Sequence, residues 1–423
     1  MSGNQDITRP RQPLVVGLVV FLFFAWGFAT VLIDTLIPKL KGLFALSYAD
    51  VMLTQFSFFI SYLIFSIPAG LILSRVGYVR GAVLGLVVMA AGCLLFAPAA
   101  SLGLFPFFLL ALFVMAAGIT MLQVAANPFI ELLGSEATSH SRLTLAQAFN
   151  SLGTTVGPWV GAVLILRGGV TVHSSGLSEA ALTALRKTEA HAVQVPFLAI
   201  GATLVALAIV FWLLRNTNAP PVAGQARLSS IPALLTRPRL VLGAMAIFVY
   251  VGAEVSIGSL MTNYLMQPHV LAAAAERAGK LVSLYWGGAM VGRFIGSFVL
   301  QRLKPGLVLA ACAGTACMLA LASSQSTGEV AAYTLIAVGL FNSIMFPTIF
   351  SLASEQLGAE TPNGSGLLCM AIVGGAIVPL ITGAVADQAG LAIALFVPAA
   401  CYVWIVTYGV LAARGLGLGP SKA

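Results

Sequence analysis

The sequence predicts an all-α integral membrane protein: twelve transmembrane helices in two six-helix bundles related by a pseudo-twofold axis. Three observations predict this. Of 423 residues, 59% are hydrophobic and only 8% charged, against about 25% charged in a soluble chain, and mean hydropathy is +1.01. Apolar runs of about 20 residues recur along the chain, each long enough to cross a bilayer as a helix. They are continuous rather than alternating, which argues against a barrel. Finally, the halves echo each other. A shift of 219 lays Pro128 on Pro347 and Gln123 on Asn342, and a shift of 221 lays Gly153 on Gly374 and Pro158 on Pro379.

The expected spans are 14–37, 52–74, 80–98, 102–130, 143–166, 193–214, 239–266, 279–301, 307–323, 329–353, 364–386 and 390–412. The first is too long for a signal peptide and lacks a small-residue cleavage site, so it reads as a retained helix. Alternate loops divide the basic residues unevenly, thirteen on the side of both termini against seven on the other. The richer side is expected to be cytoplasmic. The long basic, Pro- and Ser-containing loop between spans six and seven divides the chain into an N-terminal bundle (1–215), a linker (216–238) and a C-terminal bundle (239–423). The outer loop 167–192 contains "LSEAALTALRKTEA", which suits a short surface helix.

The net charge of +8 is spread over short loops and reads as topology, not nucleic-acid binding. Five cysteines lie in apolar runs without a CxxC, and four histidines fall in expected loops. No zinc site, disulfide framework or resident cofactor is indicated. "NGSGLL" (363–368) offers a serine between glycines, but no histidine in a span to activate it, so an enzyme is not expected.

The informative residues are polar ones inside spans. In "ITMLQVAANPFIELLG" (119–134), Gln123 and Asn127 share one helical face, and Pro128 deprives the Val124 carbonyl of its usual partner. In "LAQAFNSLGT" (145–154), Gln147, Asn150 and Thr154 form a second stripe. Such amides serve either as glue between helices or as the lining of a wet cavity, where they donate to and accept from the hydroxyls of a polyol. Asp34 and Glu254 are carboxylates deep in spans one and seven. A charge at that depth costs about 3 kcal/mol even on lenient scales, so each is a candidate for proton or cation coupling, the alternative being a static helix-locking bond. Asn263, Trp286 and Asn342 join Asp34, Gln123, Asn127, Gln147, Asn150 and Glu254 as candidate substrate contacts. Arg75, Arg80, Arg293 and Arg302 are expected to form a cytoplasmic gate, Arg293 at the cytoplasmic end of span eight.

The stretches "LQVAANPF", "LAQAFNSLGT" and "YVGAEVSIGSL", with Asp34 and Pro38 in span one, resemble the fucose–galactose–glucose proton symporter family of the major facilitator superfamily, with the glucose/galactose transporter branch the nearest likeness. The resemblance covers nearly the whole chain. It implies uptake of a monosaccharide across a bacterial inner membrane by cation symport with alternating access, a monomer sufficing. It places the first-span acid at Asp34, coupling and sugar recognition included, and the fifth-span amides at Gln147 and Asn150. The fourth-span glutamate of the fucose permease falls on Gln123, which cannot titrate, and its seventh-span glutamine falls on Glu254. Coupling is therefore expected at Asp34 with Glu254, or at Asp34 alone, by a proton or alternatively sodium. An uncoupled facilitator or exporter is the other reading.

Overall fold

In a computed structural model of the chain, residues 12–44, 48–102, 105–165, 179–215 and 228–415 are described. A backbone in lipid must satisfy its own hydrogen bonds, and these residues are helical almost throughout. The first six rods are α1 (Gln12–Phe44), α2 (Tyr48–Val76), α3 (Tyr78–Leu102), α4 (Phe105–Leu132), α5 (Ser139–Ile165) and α6 (Glu179–Leu213). A short α7 (Ile231–Leu234) precedes α8 (Pro238–Leu265), α9 (Ala275–Val299) and α10 (Pro305–Gln325). The last three rods are each broken: α11 (Gly328–Asn342) with α12 (Met345–Ser354), α13 (Thr361–Met370) with α14 (Gly374–Ala389), and α15 (Leu391–Ala394) with α16 (Phe396–Arg414). The expected surface helix in 167–192 is, from Glu179 onward, the start of α6.

Eight rods are long and apolar enough to cross a membrane on length and composition alone, and described parts of α1 and α6 form two shorter apolar helices. Among the described residues α5 and α9 are not in that set, and α9 carries Arg277, Lys280 and Arg293.

Packing repeats the twofold pattern. In the first half α1 lies on α5, α2 on α4, and α3 on α4 and α6; in the second, α8 lies on α14, α9 on α11, and α10 on α11 and α16. Close approach is paired too. A Cβ at Gly153 would fall 2.3 Å from the Phe24 carbonyl oxygen, and one at Gly374 would fall 2.0 Å from that of Phe248. Only glycine admits both crossings. The α2–α3 turn needs Gly77 at φ +86, a conformation costly for other residues.

Between the halves, α2 meets α13 and α5 meets α9, while α4 meets α13 and α5 meets α12. These four contacts again exchange under the twofold relation. They form the seam where the site lies.

Candidate functional site

A cavity of about 490 Å³ opens along this seam. One wall is Thr30 of α1 with Asn150, Ser151, Thr154 and Thr155 of α5; the other is Glu254 of α8 with Ser283, Trp286, Ala289 and Arg293 of α9. Its volume suits a small molecule. Hydroxyls and an amide line one side, while the other holds a carboxylate, a guanidinium and an indole.

The carboxylate is held from below. The Tyr250 hydroxyl, one turn back on α8, sits 2.7 Å from Glu254 Oε1 and 3.1 Å from the Asn342 carbonyl; its single proton serves the nearer acceptor. The Asn342 amide donates to the Tyr285 hydroxyl at 2.8 Å. In the first half Gln123 donates to the Tyr62 hydroxyl at 2.7 Å. These amide–tyrosine pairs are counterparts: Gln123 and Asn342 are 219 residues apart, Tyr62 and Tyr285 are 223 apart. On the spacing of Phe24 and Phe248, Glu254 takes the place of Thr30, and both line the cavity. The carboxylate thus breaks a symmetry that the amides keep.

Arg293 breaks it as well; its counterpart at a 223-residue shift is Gly70. Pro347 cannot donate to the Ser343 carbonyl, and Arg293 Nε donates to that oxygen at 3.0 Å. Arg293 Nη1 reaches across the seam to the Ser151 hydroxyl, and it lines the same cavity as Glu254. Arg293, expected in a gate near the end of its span, lines the cavity and at the same time bonds across the seam between the halves. The matching carbonyl of Val124, freed by Pro128, accepts from Ser365 Oγ of α13 at 2.9 Å. That bond also joins the halves.

Other expected contacts divide. Asn150 lines the cavity while its amide donates to the Phe23 carbonyl at 2.9 Å, and Trp286, a residue 43% exposed, lines it too. Gln123, Asn127, Gln147 and Asn342 are buried within helix contacts rather than on the cavity wall, Gln147 lying 3.4 Å from Asn127 Oδ1. In this conformation they act as the glue of the alternative reading. Asn263 is a correction: it is exposed, because nine residues from Glu254 on one helix is the opposite face. Asp34 falls on α1, and its side chain lies outside the described residues.

Contacts between the halves also involve residues other than the expected arginines. Arg75, Arg80 and Arg302 are exposed, and among the described residues none bonds the other half. Instead Ser141 Oγ donates to the Ser297 carbonyl at 2.6 Å, and Gln301 donates to Ser141 Oγ at 3.1 Å. Ser354 Oγ donates to Glu131 Oε2 at 3.1 Å. His140, buried in the first turn of α5 rather than in a loop, lies 3.1 Å from Glu355, which Arg239 also pairs. Serines and a histidine at helix ends carry no hydropathy signal; the one legible hint was the repeated E-x-L-G at Glu131 and Glu355. These bonds cluster at the end of the seam where α4 passes into α5, and the cavity lies toward the other end.

Comparison with known proteins agrees with this architecture. Residues 15–378 match the family described as Major Facilitator Superfamily. The chain belongs to the major facilitator superfamily. It is 49% identical over 404 residues to a glucose/galactose transporter of Brucella abortus, covering 94% of this chain and 93% of that one. It is 35% identical over 421 residues to an L-fucose-proton symporter of Escherichia coli, covering 96% and 94%. Among solved structures it resembles the superfamily transporter FucP crystallised in the outward conformation, with TM-score 0.87 and 33% identity, covering 95% of this chain and 99% of that one. The protein is thus a twelve-helix, multi-pass membrane protein of a transporter family.

Proposed function

We propose that this chain takes up a neutral monosaccharide, a hexose such as glucose, galactose or mannose, by proton symport with alternating access. The observation that carries the reading is the seam cavity, where Asn150, Ser151, Thr154 and Ser283 offer hydroxyl and amide partners around Glu254 and Trp286. Amides and hydroxyls both donate and accept, as a polyol requires. Arg293 and Glu254 face the cavity together, so the cavity is not lined by basic groups alone, as an anion site would be. The names of the relatives, a glucose/galactose transporter and a fucose-proton symporter, support the same class.

Glu254 is the coupling group, with Asp34 as its partner in the first half. A carboxylate at the midplane is expensive unless it is paired or protonated, and Gln123, where a titratable group is absent, supplies no proton site. The inter-half bonds at the α4–α5 end make that end the closed cytoplasmic gate, so the conformation is outward-facing. Both termini lie in the cytoplasm of a bacterium, the protein sits in the inner membrane as a monomer, and residues 216–238 link bundles 1–215 and 239–423.

The test is uptake into proteoliposomes with an inward proton gradient. Wild type accumulates labelled hexose, and collapse of the gradient abolishes accumulation. Glu254→Gln is expected to retain counterflow exchange while losing accumulation. Full accumulation by that variant removes Glu254 from coupling, and accumulation driven by sodium alone replaces the proton.

A further inference from the structure

An indole half open to a polar cavity invites a ligand with an apolar face. Tyr285 stands edge-on to Trp286, with 5.0 Å between centroids and 79° between planes, and Tyr285 is itself held by Asn342. The benzo edge of the indole lies against Gly258 of α8, where no side chain intervenes. A Cβ at Gly258 of α8 would fall 2.9 Å from Trp286 Cζ2 and 3.6 Å from Cη2. Gly258 is one turn beyond Glu254 on the same face of α8, so indole and carboxylate border the same volume.

We propose that Gly258 is a positioning residue that sets sugar specificity through Trp286. Its missing side chain lets the indole lie back against α8. One pyranose then fits with its C–H face on the indole and its hydroxyl edge toward Glu254 and Asn150. The inference rests on the hexose-uptake reading above and adds a preference within that class. In the galacto configuration the axial C4 hydroxyl leaves the hydrogens of C3, C4 and C5 on one face, a broader apolar patch than the gluco ring offers. Galactose therefore gains more from the stacked indole.

Gly258→Ala tests this without breaking the bundle. The atom nearest the new methyl is the far end of a side chain bordering open space, so the indole swings and the helices stay. In proteoliposomes the KM for galactose is expected to rise about three- to tenfold, the size of one aromatic contact. The KM for glucose rises less, and kcat for both stays within about twofold. In a chain whose other four tryptophans are replaced by phenylalanine, galactose quenches the remaining indole fluorescence, and Gly258→Ala shifts that response to about three- to tenfold higher galactose. Gly314→Ala, where the nearest atom to a new Cβ is 3.8 Å away, is the control and leaves both constants unchanged. An unaltered galactose-to-glucose KM ratio in Gly258→Ala, or a fall in kcat alone, overturns the proposal. Failure of the underlying reading gives a different result, a wild-type protein that accumulates no hexose, and it overturns both.

Discussion

Replacing Ser365 by alanine removes a single hydroxyl that holds one conformation of this transporter. Ser365 is fully buried, and its Oγ donates at 2.9 Å to the Val124 carbonyl that Pro128 has left without an intrahelical donor. Alanine leaves that carbonyl buried and unpaired, at a cost of ~1–3 kcal/mol. The bond runs between α13 and α4, so the cost falls on the state in which the α4–α5 end is closed. Once that end opens, water takes the carbonyl and the mutation is nearly silent. The ratio of closed to open at this end therefore falls by about 5- to 150-fold. Nitroxide labels at Arg80 and Arg302, both exposed at this end, report the change by pulsed dipolar spectroscopy as a population at longer distance. The native cysteines are replaced first. Pro128→Ala supplies the internal check. It returns an N–H to the Val124 carbonyl, so Ser365→Ala should matter far less in that background. An unchanged distance distribution in Ser365→Ala, or an equal shift with and without Pro128, refutes the account.

Two other outcomes follow from the site. Tyr62→Phe and Tyr285→Phe each strip a buried amide, Gln123 or Asn342, of its hydroxyl partner; each should cost ~1–3 kcal/mol, lowering the Tm in detergent, with similar losses if the pairs are true counterparts. Arg293→Met abandons the Ser343 carbonyl and the cavity charge together, and kcat/KM for uptake should fall at least ~10-fold; Arg293→Lys should not restore it, since an ammonium lacks the fork that serves Ser343 and Ser151 at once. Uptake at the wild-type rate by Arg293→Lys makes the residue a simple counter-charge.

The two-bundle fold was legible because lipid imposes few choices. A chain this apolar has helices or a barrel open to it, and unbroken runs select helices. The repeat was legible at prolines and glycines, because Pro128, Pro347, Gly153 and Gly374 answer to backbone geometry that both halves share. The consequence of Pro128 was readable as well, a carbonyl in need of a donor, while the donor itself was not, since Ser365 lies 241 residues on. Glu254 stood out as a carboxylate in an apolar run, and the structure seats it on the cavity wall.

Sequence by itself determined which residues could not be indifferent to lipid: the amides, Asp34, Glu254 and the two prolines. Only the tertiary structure decided which of them face open space. Gln123 and Asn150 are both amides inside spans, yet one is closed against Tyr62 and the other reaches the cavity. The physical reason is that helical periodicity fixes the face of a helix on which a side chain lies, while a distant segment decides whether that face meets a neighbour or a gap. The same holds for Arg293, whose place depends on a carbonyl freed by a proline in another helix.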